Sequence, residues 1–77
     1  MLSLHDNPIT DRELLFVENM TSLQRLDLSN TGISDDAVEH LSGLYSLQQL
    51  QVQGTALSPD VLGELRTALP NTAIEGP

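Results

Sequence analysis

The stretch LQRLDLSNTGISDDAVEHLSGLYSL, residues 23–47, decides the fold. It opens on Leu26-x-Leu28, a period-two alternation that reads as a strand with one buried face. Asn30-Thr31-Gly32 supplies turn chemistry. Ser34 stands where a helix N-cap belongs. Val38, Leu41 and Leu44 then recur at intervals of three, an apolar face directed at the strand. Strand, turn, helix and return occupy 24 residues before the pattern restarts at Leu50.

The same pattern extends in both directions. Leu2, Leu26, Leu50 and Ile74 share one phase of the 24-residue period. Leu4, Leu28 and Val52 share another, as do Asn7, Thr31 and Thr55, and then Ile9, Ile33 and Leu57. Self-similarity at such a period is the signature of a solenoid, in which each unit buries its apolar face against its neighbours. The spacing divides the chain into units at about 1–22, 23–46 and 47–70, with a partial strand at 71–75 ending at Gly76-Pro77. The whole of 1–77 is expected to form one domain.

Each column carries a physical role. Asn7, Thr31 and Thr55 are expected to point inward and satisfy loop backbone groups, because buried polar backbone must find partners. Thr10, Ser34 and Ser58 are expected N-caps. Glu13 completes a capping box with Thr10, and Pro59 suits the first helical position. Asp11, Glu13, Asp35, Asp36 and Asp60 crowd these turns, where negative charge complements the helix dipole. Stacked units would line them into an acidic edge, readable as helix-start chemistry or as a metal or partner site. Leu14, Val38 and Leu62, then Val17, Leu41 and Leu65, then Met20, Leu44 and Ala68 form the inward helical columns. Asn19 and Gly43 fall where a left-handed helix C-cap belongs. The third helix, with Thr67 there, is expected to run on toward Leu69 before Pro70 stops it.

Composition excludes several functions. Eleven acidic residues face three Arg and no Lys, for a net charge of −8. Phosphate backbones and anionic membrane surfaces need clustered cations, so neither nucleic acid nor membrane is an expected partner. The excess acid serves solubility, with a basic partner or adaptation to high salt as alternatives. Without Cys there is no disulfide framework and no thiolate chemistry. No apolar run approaches a membrane span, and no signal peptide is legible. That leans toward the cytoplasm without settling the compartment. His5 and His40 belong to different faces and form no metal pair. No catalytic spacing or phosphate-cradling Gly loop occurs, so neither an enzyme nor a cofactor is expected.

The pattern Leu23-x-x-Leu26-x-Leu28-x-x-Thr31-x-Ile33 resembles the leucine-rich repeat consensus, and Leu47-x-x-Leu50-x-Val52-x-x-Thr55-x-Leu57 repeats it. The second half of each unit is similar to the helical repeats of many bacterial proteins. It is also similar to the cysteine-containing, GALA-like class, with Thr where that class has Cys or Asn. The resemblance implies an α/β horseshoe: a right-handed solenoid of about three repeats with short parallel strands on the concave face and helices on the convex face. It also implies protein binding without catalytic residues.

On that architecture the concave face is formed by Ser3 and His5, then Arg25, Asp27 and Ser29, then Gln49, Gln51 and Gln53, with Ala73 and Glu75 beside them. These are the expected partner-binding positions. Of the residue types that dominate binding hot spots, only Arg25 is present. On the helical side Leu15 and Phe16 occupy columns that elsewhere hold Glu39, Gly63, His40 and Glu64. Either the first helix packs differently and buries one of them, or they form a docking patch. The expected function is a protein-binding module, a segment of a larger repeat protein. The alternatives are a self-assembling piece that pairs through its repeat ends or the Leu15-Phe16 patch, and, more remotely, the recognition part of a ubiquitin-ligase-like adaptor.

Overall fold

The computed structural model describes residues 2–76. The domain limits Met1 and Pro77 lie outside the described residues. Four parallel strands form one sheet in chain order: β1 (Leu2–Ser3), β2 (Arg25–Asp27), β3 (Gln49–Gln51) and β4 (Ala73–Glu75). The register follows the repeat: Leu2 pairs with Leu26, Leu26 with Leu50, and Leu50 with Ile74. A 24-residue period therefore fixes not only the unit but the strand pairing. β4 is backed by no helix among the described residues, as its truncated pattern implies.

The core lies between the sheet and the returning segments. Leu26, Leu28, Ile33, Leu41, Leu44, Leu50 and Val52 are completely buried. Their first-unit counterparts Leu2, Leu4 and Ile9 are only partly buried, because they lie at the end of the stack. Met20 departs from its column and is exposed, whereas Leu44 at the same phase is buried.

The helical side differs from the three equivalent helices expected. The first unit has a 3-10 helix, Asp11–Phe16. The second has a 3-10 turn, Asp35–Ala37, running into a single α-turn, α1 (Val38–Leu41). Only the third forms a full helix, α2 (Pro59–Ala68), with Leu69 as its C-cap. The reason lies in the spacing. Leu14, Val17, Met20 and Leu23 recur every three residues, as do Val38, Leu41, Leu44 and Leu47. Three residues per turn is the 3-10 period, not the α period. The backbone follows it: Met20 N–H donates to Val17 O and Leu23 N–H to Met20 O, and likewise Leu44 to Leu41 and Leu47 to Leu44. The third unit buries Leu62, Leu65 and Leu69, spaced three then four, and so closes α-turns.

The early end of these helices removes the C-caps expected at Asn19 and Gly43. The left-handed residues are instead Asp6 (φ 61°), Asn30 (φ 58°) and Gly54 (φ 70°), one 24-residue column at the turn leaving each strand. Gly, Asn and Asp are the residues that tolerate this region.

Ladders of hydrogen bonds join the units. The inward column acts as expected: Thr31 Oγ1 donates to Leu28 O and Thr55 Oγ1 to Val52 O, both at 2.7 Å. Asn7 Nδ2 makes the same bond to Leu4 O at 3.1 Å but remains exposed at the open end. Beyond the turn, Gly32 N–H donates to Ile9 O and Ala56 N–H to Ile33 O, at 2.7 and 3.1 Å. A Cβ on Gly32 would lie 2.9 Å from that Ile9 oxygen, so the closer of the two contacts requires glycine.

Candidate functional site

The strand residues that point away from the helical side form an open polar surface. Ser3, Asp27, Gln51 and Glu75 are in register across the four strands, and Arg25, Gln49 and Ala73 form a second row. Ser3, His5, Arg25, Gln53, Ala73 and Glu75 are exposed, while Asp27, Ser29, Gln49 and Gln51 are partly buried by their neighbours. All the positions expected on this face are thus brought together on one surface. His5, Ser29 and Gln53 extend it toward the turns.

Several of these side chains are held in place. Glu75 accepts from Gln49 Nε2 at 3.4 Å and from Gln51 Nε2 at 3.3 Å, so one carboxylate straps both glutamines of β3. Asp27 Oδ1 accepts from Ser29 N–H at 3.0 Å. At the rim His5 Nδ1 lies 2.9 Å from Asp6 Oδ2. That hydrogen bond raises the His5 pKa, and the charge of Asp27 adds to it. Asp6 is lowered by His5 first and by a hydrogen bond from Asn30 second. Arg25 forms no ion pair among the described residues. It is therefore an exposed cation on a surface of amides and held carboxylates, and its guanidinium can take a partner's carboxylate or carbonyl in a bidentate contact.

The acidic edge has a structural role that composition did not reveal. Asp11 Oδ1 accepts from Ser34 N–H at 2.7 Å, and its second oxygen accepts from the Ser34 hydroxyl. Asp35 Oδ1 accepts from Ser58 N–H at 2.8 Å. Each aspartate thus serves the N-cap backbone of the next unit. Thr10 has no such upstream partner among the described residues. Its N–H and hydroxyl both donate to Glu13 Oε2, at 3.0 and 2.7 Å. Of the three expected N-caps, Ser58 accepts a backbone N–H through its side chain, from Val61 at 3.3 Å, and Thr10 forms the expected capping box with Glu13. The signal was present, since Asp11 and Asp35 are 24 residues apart, as are Ser34 and Ser58. No group of metal-ligating side chains is assembled among the described residues. Among the described residues no helix is long and apolar enough to cross a membrane.

On the helical side both Leu15 and Phe16 are exposed, at 51 % and 76 %. This corrects the expectation that altered packing buries one of them. The 3-10 helix places them on its outer side, while Leu14 and Val17 turn inward. Sequence reading missed Tyr45, which is 80 % exposed beside a groove formed with Leu69, Pro70 and Thr72. His40 pairs with Glu18 across units at 2.6 Å.

A model of the family described as Leucine Rich Repeat matches residues 22–44. The match spans β2, the turn and α1, and the register carries the same unit on either side. Residues 22–44 are a leucine-rich repeat. No curated protein and no solved structure matches it significantly. Leucine-rich repeats in general mediate protein–protein interaction and are typically non-catalytic. The four-stranded parallel sheet with its helical returns is the expected α/β architecture of a leucine-rich repeat solenoid segment.

Proposed function

We propose that this protein is a non-catalytic binding domain whose open sheet face receives a protein partner. The observation that carries the reading is the row Ser3, Asp27, Gln51 and Glu75 beside exposed Arg25, a continuous polar surface on rigid strands. Side chains fixed on strands and strapped by Glu75 lose little freedom on binding, which favours affinity from a small surface. The partner is a protein segment that offers an acceptor to Arg25 and backbone groups to Gln49 and Gln51. The reading holds whether the domain stands alone or within a longer repeat protein. The 24-residue unit, with Thr31 and Thr55 in the inward column, supports the bacterial-type variant of the repeat.

The test is affinity capture followed by measured binding of the captured protein. Replacing Arg25, Asp27, Gln49 and Gln51 by Ala together should abolish binding, while Glu39→Ala and Glu64→Ala on the helical side should leave it unchanged. Undiminished binding by the fourfold variant would exclude the sheet face.

A further inference from the structure

The charges of the open sheet face are sorted by row. Arg25 stands at the strand starts with Gln49 and Ala73, exposed and without an ion pair among the described residues. Asp27 and Glu75 stand in the next row with Ser3 and Gln51, and neither carboxylate is in an ion pair among those residues. Hydrogen-bond polarity follows the same division. A carboxylate only accepts, so Gln49 and Gln51 turn their amide N–H groups toward Glu75 and present their amide oxygens as acceptors. Ser29 N–H occupies one Asp27 oxygen and leaves the other. The Arg25 guanidinium, by contrast, only donates. The rest of the chain extends the division. Asp6, Asp11, Asp35, Asp36 and Asp60 follow the strands, at the turns and helix starts. Residues 19–25, 43–49 and 67–73, which lead into the strands, contain no acid. One side of the sheet face is therefore negative and accepting, and the other is neutral except for one cation.

We infer that this face takes an extended peptide segment in which a basic and an acidic side chain lie two residues apart, the base over the Asp27–Glu75 row and the acid on Arg25. The inference rests on the reading that the sheet face receives a protein partner, and it names the chemistry of that partner. Spacing selects the segment. Residues two apart on a strand stand about 7 Å apart on one face, and alternate side chains of an extended segment have the same separation. A segment laid along β2 thus brings its two charges to Arg25 and Asp27 together. Parallel to β2 it reads acid–x–base, and antiparallel base–x–acid. β2 has β1 on one side and β3 on the other, so both residues lie within the sheet rather than at its edge. Charge selects against the alternatives. A uniformly acidic segment would meet Asp27, Glu75 and a chain of net charge −8, and a uniformly basic one would set a cation against Arg25. Hydrogen bonding agrees. A guanidinium fork fits a carboxylate bidentately, and an ammonium or guanidinium supplies the donors that the acceptor row lacks.

Panning a phage-displayed library of random dodecapeptides on the whole chain tests the inference, with synthetic copies of the selected peptides measured by calorimetry. The expected peptides share a basic and an acidic residue two apart, and their affinity falls as salt is added. Arg25→Glu should weaken them by about tenfold or more, and changing the peptide's acidic residue to Lys should restore binding to that variant. Asp27→Lys, with the peptide's basic residue changed to Glu, gives the same exchange at the other row. Glu64→Ala on the helical side should change nothing. Circular dichroism checks that each variant is folded, and because Arg25 is exposed its exchange stands even where Asp27→Lys does not fold. Selection of no peptide, of peptides without the charge pair, or of peptides whose affinity neither exchange moves would overturn the inference. Peptides without the pair that lose binding to the fourfold Ala variant of Arg25, Asp27, Gln49 and Gln51 would overturn it while leaving the sheet-face reading standing. Peptides that bind the fourfold variant undiminished would overturn both.

Discussion

Asp11 in the first unit holds both the backbone N–H and the hydroxyl of Ser34, 23 residues further along the chain. Asp35 repeats the relationship with Ser58. Bonds from a carboxylate to backbone donors are among the stronger ones, contributing about 1.5–3 kcal/mol each. Solvent around these part-buried and exposed bonds discounts that range, so Asp11→Ala should destabilise the protein by about 2 kcal/mol, and Asp35→Ala, which loses one exposed bond, by about 1 kcal/mol. Urea unfolding at neutral pH measures both. Equal effects would show that the second bond from Asp11 contributes nothing.

A second prediction concerns the left-handed column. Gly54 has φ 70°, and a Cβ there would lie 2.1 Å from Asn30 Oδ1. Gly54→Ala must strain the backbone and displace the Asn30 side chain, for a loss of about 2 kcal/mol. Asn30→Gly in the same chain removes the collision but not the strain, and should recover part of the loss. A double-mutant cycle in urea gives the coupling, and additive effects would contradict the contact.

The inward hydroxyls give a third. Thr31 Oγ1 is buried and donates to Leu28 O, while Asn7 makes the equivalent bond in the open. Thr31→Val leaves that carbonyl without its side-chain partner and should cost about 1–2 kcal/mol. Asn7→Ala should cost clearly less, because water replaces the amide.

The response to acid gives a fourth. The Glu13 carboxyl titrates below its ordinary value of 4.5, first because the Thr10 hydroxyl donates to it and then because of backbone N–H donors. A lowered folded pKa stabilises the protein above the ordinary value, and the gain disappears as pH falls through the folded one. Wild type should therefore exceed Glu13→Gln in urea midpoint at neutral pH, and the two should converge well below 4.5. A difference that persists in acid would mean that Glu13 acts through packing rather than charge.

Much of the molecule is legible in its columns. Leu2, Leu26, Leu50 and Ile74 predict the sheet register because, in a solenoid of constant unit length, the repeat phase is the pairing phase. The same logic places Arg25, Asp27, Gln49 and Gln51 on one face. The helical side was less legible. Apolar residues every three positions fit an α-helix as well as 3-10 turns, and a face defined over only two turns barely separates the two periods. The aspartate ladder was hidden for another reason. An acid at a helix start has an adequate local explanation in the helix dipole, so its bond to the next unit emerges only once the units are stacked. Exposure at the ends is likewise a property of the stack. Met20 and Leu44 share a phase, and only the neighbouring unit decides which is covered.

The central claim is that partners are received on the sheet face, and photo-crosslinking tests it most directly. A photoreactive residue is placed at Gln51 on β3 or at Glu39 on the helical side, and each variant is irradiated with the captured partner. The account predicts a crosslink from position 51 and none from position 39. A crosslink from 39 with none from 51 would contradict it.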